Sequence, residues 1–336
     1  MGITESQLKD DRFDPTDVNN YPRGSLCGGT PQPGGWMFNA SMCVLYRALV
    51  KRNPDFKINA VPNDPTKMNR CTQPGWPGST VIKNMDTKKF VMIPFCDTVF
   101  GFDPKVWDFE NFVHLFATHG LTEDIINYNW ESIPSSLPPC SYTPATLTTY
   151  YLEGYKEIEK IMAEETYKIR KIPEKLFLRA RCMVFLRRYM YEQDDRFDML
   201  GCHDEPDWKG PLPAKDFMHE MGQYSIAMDV NSVSEISLKT VDALGLGCAL
   251  IRPKLFVQFH NKLIPNYHYA AIDCDDLSDY PRACDAYVEK FEELKKDPDL
   301  VKFLSDNGRK WYEENCTIES YVRIFTEELI DLKQLS

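Results

Sequence analysis

Apolar and polar positions along this chain follow two periods, and the switch between them is clearest over residues 224–253. Residues 224–228 form a short apolar run closed by Asp229, the pattern of a buried strand. A polar turn follows, Asn231-Ser232-Val233-Ser234-Glu235. Ile236, Val241, Leu244 and Leu246 then recur at roughly helical spacing, and Gly245 and Gly247 close the segment. Cys248-Ala249-Leu250-Ile251 is a second apolar run, stopped by Arg252-Pro253. The stretch predicts strand, turn, helix, strand. In a parallel α/β sheet such turns lie at the carboxyl ends of the strands and line the ligand crevice. The helix start there offers free N–H groups and a positive dipole end, which suit a phosphate. Ser234, Ser237 and Lys239 stand around that start as they would in a diphosphate seat. Asp242, about a turn further in, has acceptor oxygens for a ribose. The same pattern also serves an ordinary βαβ core unit with a solvated Lys and Asp.

The rest of the chain repeats these two periods in two series. Residues 1–35 are rich in Asp, Asn, Pro and Gly and read as an irregular arm ending in a glycine-rich loop. Residues 36–52 carry an apolar helical face, 56–61 alternate weakly as a strand, and 62–79 form a loop around Trp76. Residues 89–95 form a buried strand that ends at Cys96-Asp97, and a carboxylate just past a strand's carboxyl end is where α/β proteins place chemistry. Residues 106–119 read as an apolar helix, 132–148 as a Pro-, Ser- and Thr-rich linker or lid, and 149–171 as a long charged helix ended by Pro173. The second series opens with a strand at 175–178 running into Arg179-Ala180-Arg181. A helix at 183–192 carries Arg187 and Arg188, a short strand occupies 197–200, and a loop occupies 203–213. After the βαβ stretch come a helical pattern at 254–264, a strand at 269–272 and helices to the end, the last over 318–335. The change of composition around 132–173 divides the chain into two α/β halves: residues 1–172, residues 173–315, and a closing helix at 316–336.

Arginine suits bidentate phosphate contacts. Arg179 at a strand end is the strongest candidate for one, whereas Arg188, and with it Arg187, fits a salt-bridged surface helix. Composition narrows the classes further. A formal net charge of −11 over 336 residues excludes the broad basic surface that nucleic-acid binding needs. The 11 cysteines include no CxxC pair, and no export signal or ~20-residue apolar run appears, so reduced thiols, no membrane span and a cytoplasmic location are expected. Gly2 and Ser6 formally fit the myristoylation pattern. There is no GxGxxG after a strand and no Walker loop, and His219-Glu220 lacks the second His of a zinc-protease helix. Asp273-Cys274-Asp275 has the spacing with which metal-dependent sugar transferases hold a divalent ion, although it lies in an acidic run that equally fits a solvated loop.

These residues together resemble one family. Phe177-Leu178-Arg179-Ala180, then Tyr224 with Asp229-Val230-Asn231-Ser232, then Gly245-Leu246-Gly247, then Pro265-Asn266-Tyr267-His268-Tyr269 with Asp276-Leu277-Ser278-Asp279, follow the order of motifs in the lipopolysaccharide-modifying and capsule-associated glycosyltransferases. That family includes fungal capsule xylosyltransferases and protein O-glucosyltransferases. The resemblance covers roughly residues 174–325. Val230 and Ala180 stand where the family has Gly, and the family's Arg on the turn-to-helix segment is absent, with Lys239 the nearest cation. The chain is also similar to the soluble glycosyltransferases of chlorella viruses, which implies a viral capsid glycan as acceptor.

The resemblance implies a GT-B fold: two Rossmann-like domains facing a cleft, with the last helix crossing back to the first. It implies an inverting, metal-independent transfer of a sugar, xylose from UDP-xylose ahead of glucose from UDP-glucose, to a glycan hydroxyl. No cofactor or metal is expected beyond the nucleotide-sugar donor. Asp97 is the expected base, ahead of Asp86 and Asp103. Arg179, Ser234 and Lys239 are expected at the diphosphate, Asp242 at the ribose, and His268 and Tyr269 in the nucleotide pocket. Two alternatives remain: a non-catalytic nucleotide- or glycan-binding protein, and a metal-dependent GT-A transferase using Asp273 and Asp275.

Overall fold

The computed structural model describes strand backbones at 58–62, 79–84, 90–94, 112–117 and 140–142. It also describes residues 155–324 except 167, 179–184, 194, 200–213, 231–237 and 256–260. The chain divides into two compact units, Met1–Tyr155 with Asn315–Ser336, and Lys156–Glu314. The predicted arm, the helix at 36–52, Trp76, Asp86, Asp97 and Asp103 lie outside the described residues.

The first unit contains a mixed sheet in the order β1 (Ile58–Pro62), β2 (Ser79–Asn84), β3 (Phe90–Pro94), β4 (Phe112–Ala117) and β5 (Cys140–Tyr142). β1, β2 and β3 pair antiparallel, whereas β3/β4 and β4/β5 pair parallel. Two expectations are corrected here. Residues 106–119 do not form one helix, because 112–117 is β4. The run Phe-Val-His-Leu-Phe-Ala fits both periods over so short a span, and its aromatic and β-branched residues favour the pleated surface. The supposed linker at 132–148 contains β5, which pairs Cys140 with Leu115. Strands at 58–62 and 90–94 agree with the sequence reading, while β2 was not anticipated.

The second unit is built on short parallel strands. β6 (Leu176–Leu178) pairs with β7 (Phe197–Met199), and β9 (Ala249–Arg252) lies between β8 (Ile226–Met228) and β10 (Ala270–Ala271). β6 runs beside β8, where the Phe177 and Tyr224 rings stack at 5.0 Å. Leu176 to Leu178, Ile226 to Met228 and Ala249 to Arg252 are buried at every position. Continuous apolar runs of this kind belong to parallel strands covered on both faces.

Helices cover them: α1 (Tyr155–Thr166), α2 (Phe185–Tyr191), α3 (Ala214–Met221), α4 (Leu238–Gly245), α5 (Tyr280–Lys296) and α6 (Pro298–Asn315). A short α7 (Ile318–Arg323) falls in the first unit's share of the chain. One core joins β6 to β10 with the inner face of α5, including Tyr287, Phe291 and Leu294. α3 was not anticipated, and α1 is shorter than the predicted 149–171 helix within the described residues. The helix expected at 254–264 is absent at 253–255 and 261–264, which are irregular. Pro265 disfavours helical geometry at Ile264, and the Asn261 carbonyl is taken by Trp311 Nε1 at 3.1 Å.

α4 shows how local sequence sets an element's end. Residues 240–246 are all buried, so the helix is enclosed. Gly247 follows with φ of 68°. Its N–H reaches the Leu244 carbonyl (2.9 Å), and Cys248 N–H reaches that of Ala243 (2.9 Å), a Schellman closure that needs a residue tolerant of positive φ. Gly245 has a different reason. A Cβ there would stand 2.8 Å from Met162 Sδ and 2.9 Å from Tyr312 Cε2, so α4 lies too close to α1 and α6 for any side chain. α5 is started by Asp279, whose carboxylate accepts from Arg282 N–H at 3.2 Å, with Pro281 in the first turn.

Gly247→Ala should therefore destabilise the fold by about 1 kcal/mol, the cost of a Cβ at positive φ. Urea unfolding of the two proteins checks this, and an unchanged midpoint would refute the Schellman assignment.

Candidate functional site

The carboxyl ends of β8, β9 and β10 lie side by side, and two buried polar residues stand there, Asp229 just past β8 and Arg252 at the end of β9. Asp229 follows β8 and is fully buried. Its N–H donates to the Ile251 carbonyl at 3.0 Å, continuing the ladder. Its Oδ2 accepts from Thr240 Oγ1 on α4 at 2.5 Å, and its carbonyl accepts from Tyr287 Oη on α5 at 2.8 Å. The next carbonyl, of Val230, accepts from Arg187 Nη2 on α2 at 2.5 Å. Arg252, at the end of β9, is also fully buried, with its guanidinium carbon 5.6 Å from the centre of the Tyr269 ring. Burial raises the Tyr287 hydroxyl well above its ordinary range, and the Asp229 charge adds to that rise. The Arg252 and Arg187 charges oppose that rise. Thr240, Tyr287 and Arg187 thus fix the point where the chain leaves β8.

The second wall is the 264–272 segment. Asn266 adopts φ of 59°, and among the described residues it is the non-glycine with positive φ. Asn tolerates that conformation. Here Asn266 also joins the turn to β10, since its N–H donates to the Tyr269 carbonyl (2.7 Å) and its Oδ1 accepts from Ala271 N–H (3.0 Å). Tyr269 is fully buried and its hydroxyl accepts from Leu255 N–H at 3.3 Å. His268 Nδ1 accepts from Ile264 N–H at 2.8 Å, which places the ring proton on Nε2. Tyr267 meets the ring edge-on at 4.8 Å, and Trp311 lies 6.4 Å away. Burial lowers the His268 pKa to about 4, so the ring is a neutral donor at physiological pH. α6 reaches this segment through Gly308, where a Cβ would stand 2.7 Å from the His268 carbonyl oxygen.

Against the sequence reading, Lys239 is half-buried in the first turn of α4, and Asp242 is 1% exposed one turn later. His268 and Tyr269 lie together in the turn that precedes β10. Arg179, Ser234 and Asp97 lie outside the described residues, as do Ser237 and the 231–237 turn. Asp273 and Asp275 are exposed. Among the described residues no group of three or more His, Cys, Asp and Glu could hold a metal ion. The acidic run has structural work. Asp276 accepts from Ser278 N–H (2.9 Å) and Oγ (2.6 Å), which hold its carboxyl below the usual range, and Asp279 caps α5.

Arg187 is a correction, since it is buried and ties α2 to the β8 turn rather than lying on a solvated face. Arg252 and Thr240 were overlooked. For Arg252 a signal existed, because it stands at a strand end as Arg179 does.

The chain matches no protein-family model and no curated protein. Among solved structures it is similar to a sucrose-phosphate synthase from Thermosynechococcus elongatus. That likeness has 15% identity and a TM-score of 0.40, over 68% of this chain and 60% of that one. It is also similar to a GtfA/B complex (13% identity, TM-score 0.43, 71% of this chain and 50% of that one). A third is the pneumococcal O-GlcNAc transferase GtfA in complex with UDP and GlcNAc, at 11% identity and a TM-score of 0.37, over 80% and 68% of the two chains.

The depressed His268 pKa has a definite sign. The unfolded ring takes up its proton near pH 6.5 and the folded one only near pH 4. This contribution to stability is therefore complete above pH 6.5 and is lost as the pH falls toward 4. His268→Asn, which keeps an acceptor for Ile264 N–H, should flatten the acid limb of the stability curve by on the order of 1–3 kcal/mol between those pH values. Denaturant titrations at a series of pH values measure it, and superimposable curves would show that the ring is not held neutral.

Proposed function

We propose that this chain is a glycosyltransferase of GT-B arrangement whose second unit binds a nucleotide sugar at the carboxyl edge of β8, β9 and β10. The observation that carries the reading is the β8–α4–β9 unit. The end of β8, at Asp229 and Val230, is fixed by buried polar contacts, and the helix start carries Lys239. In parallel sheets that edge is where ligands enter, and a helix start supplies N–H groups for a diphosphate. His268 and Tyr269 stand in the segment leading to the adjacent strand, which supports their assignment to the nucleotide pocket.

Within this reading Arg179, Ser234 and Lys239 bind the diphosphate, and Asp242 serves the ribose. Its burial requires that it do so from within the wall of the site. The donor is UDP-xylose ahead of UDP-glucose, and the acceptor is a hydroxyl of a glycan. Transfer is a single inverting displacement. Asp97 takes the acceptor proton as the anomeric carbon gains the acceptor oxygen and loses the diphosphate, whose charge fixed donors stabilise without a metal.

A ligand that binds the native state raises its melting temperature. UDP, UDP-xylose and UDP-glucose should each do so, whereas a panel including GDP-sugars with no shift anywhere would sink the proposal. Asp97→Asn should abolish transfer and keep the UDP-induced shift; loss of both together would remove Asp97 from the role of base. EDTA should leave turnover unchanged, and a metal requirement would turn attention to Asp273 and Asp275.

A further inference from the structure

The strands of the second unit form two sheets, β6 with β7 and β8 with β9 and β10, and among the described residues no ladder joins them. Between β6 and β8 there is therefore a seam closed by side chains. Near the start of β8 the Phe177 and Tyr224 rings stack across it. At the end of β8 it is crossed by Arg187. This residue lies in α2, the helix that follows β6, and its Nη2 donates to the Val230 carbonyl at 2.5 Å.

Core packing does not ask for a guanidinium here. Leu186 and Met190 already bury the apolar side of α2, and a buried charge is expensive to desolvate. What the guanidinium adds over an apolar side chain is direction. Its bond forms at one register of α2 against the end of β8 and is lost at others.

The transferase reading puts ligand contacts on both sides of this seam. Arg179 follows β6 directly in sequence and belongs to the connection that leads into α2. Lys239 stands at the start of α4, which the chain reaches from Val230 through the 231–237 turn that carries Ser234. Those residues are assigned to the diphosphate. The nucleoside contacts of the same reading, Asp242, His268 and Tyr269, all belong to the side of β8 to β10.

We propose that Arg187 is a positioning residue for the donor diphosphate. By fixing α2 to Val230 it sets the distance between the β6 side and the β8 side of the seat, so that Arg179 and Lys239 meet the same pair of phosphates. It touches no substrate itself. The inference rests on the transferase reading and adds a role that this reading does not assign.

Titration of the full chain with UDP and with uridine separates the phosphate end from the nucleoside end. Arg187→Met keeps length and packing but has no donor. Its UDP affinity should fall about tenfold while its uridine affinity is unchanged. Damage to packing alone would weaken both ligands alike. Arg187→Lys keeps a charged donor and should recover most of the loss. Unaltered UDP affinity in Arg187→Met, parallel losses for UDP and uridine, or no recovery in Arg187→Lys overturns the inference while the transferase reading stands. Wild-type binding of UDP no tighter than of uridine removes the diphosphate seat, and with it both. Where Arg187→Met does not fold, hydrogen exchange on the wild-type chain supplies the test. UDP should slow amide exchange in α2 more than uridine does, and equal effects overturn the clamp.

Discussion

The second unit depends on the burial of one acid. Asp229 ends β8 with none of its side chain in water, and an ionisable group so enclosed costs several kcal/mol unless its oxygens are satisfied. Partners from separate elements hold the acid and the backbone beside it. Thr240 reaches it from α4, Tyr287 reaches its carbonyl from α5, and Arg187 reaches the carbonyl of the next residue from α2. Each hydrogen bond contributes about 1 kcal/mol net, and one to a charged group about 1.5–3. The larger effect is one of registry. Sliding any of the three helices along the sheet leaves a buried donor or acceptor without its partner. The position at which the chain leaves β8 is therefore a consequence of core packing.

The turn before β10 is set by the opposite means. Little there rests on charge. Asn266 takes a conformation few residues tolerate and returns two hydrogen bonds for it. Gly308 lets α6 lie directly against the His268 carbonyl, and the ring is fixed by accepting from Ile264 N–H. The histidine is thereby neutral, and its tautomer is set by backbone geometry rather than by a carboxylate. A ring of that kind can donate one hydrogen bond from Nε2 without adding a positive charge beside the buried Arg252 guanidinium, which lies against the neighbouring Tyr269 ring.

Much of the second unit was legible in the sequence because its strands are continuous apolar runs ended by a charged residue, and its α4 ends in two glycines with separate reasons to be there. The errors share a physical origin. Residues 112–117 satisfy the helical and the extended period equally over six positions, so only pairing with β3 and β5 decides between them. At 261–264 the helical spacing is overruled by contacts far away in sequence, such as the hydrogen bond from Trp311 Nε1 to the Asn261 carbonyl, and spacing cannot reveal them. Arg187 illustrates the same point. A guanidinium on a charged helix reads as solvated until its acceptor is known, and that acceptor is 43 residues further along the chain.

Val230 stands where the resembled family carries glycine, and the structure gives the substitution a meaning. Glycine is required in such a turn when φ is positive or when a ligand must approach the backbone more closely than a Cβ permits. Val230 has no positive φ, and its side chain is fully buried within the core shared by β8, β9 and α5. Its methyl groups therefore add to the packing of that core. The absent arginine is a different matter, because a cation cannot be replaced by packing. In the proposed reading the described part of the diphosphate seat consists of the α4 N-terminus and Lys239. Such a seat relies on oriented dipoles more than on counter-charge. Dipoles lose their hold within a turn of the helix end, so in that reading the seat depends on where the core places α4, and the Thr240 bond to the buried acid at the end of β8 sets that position.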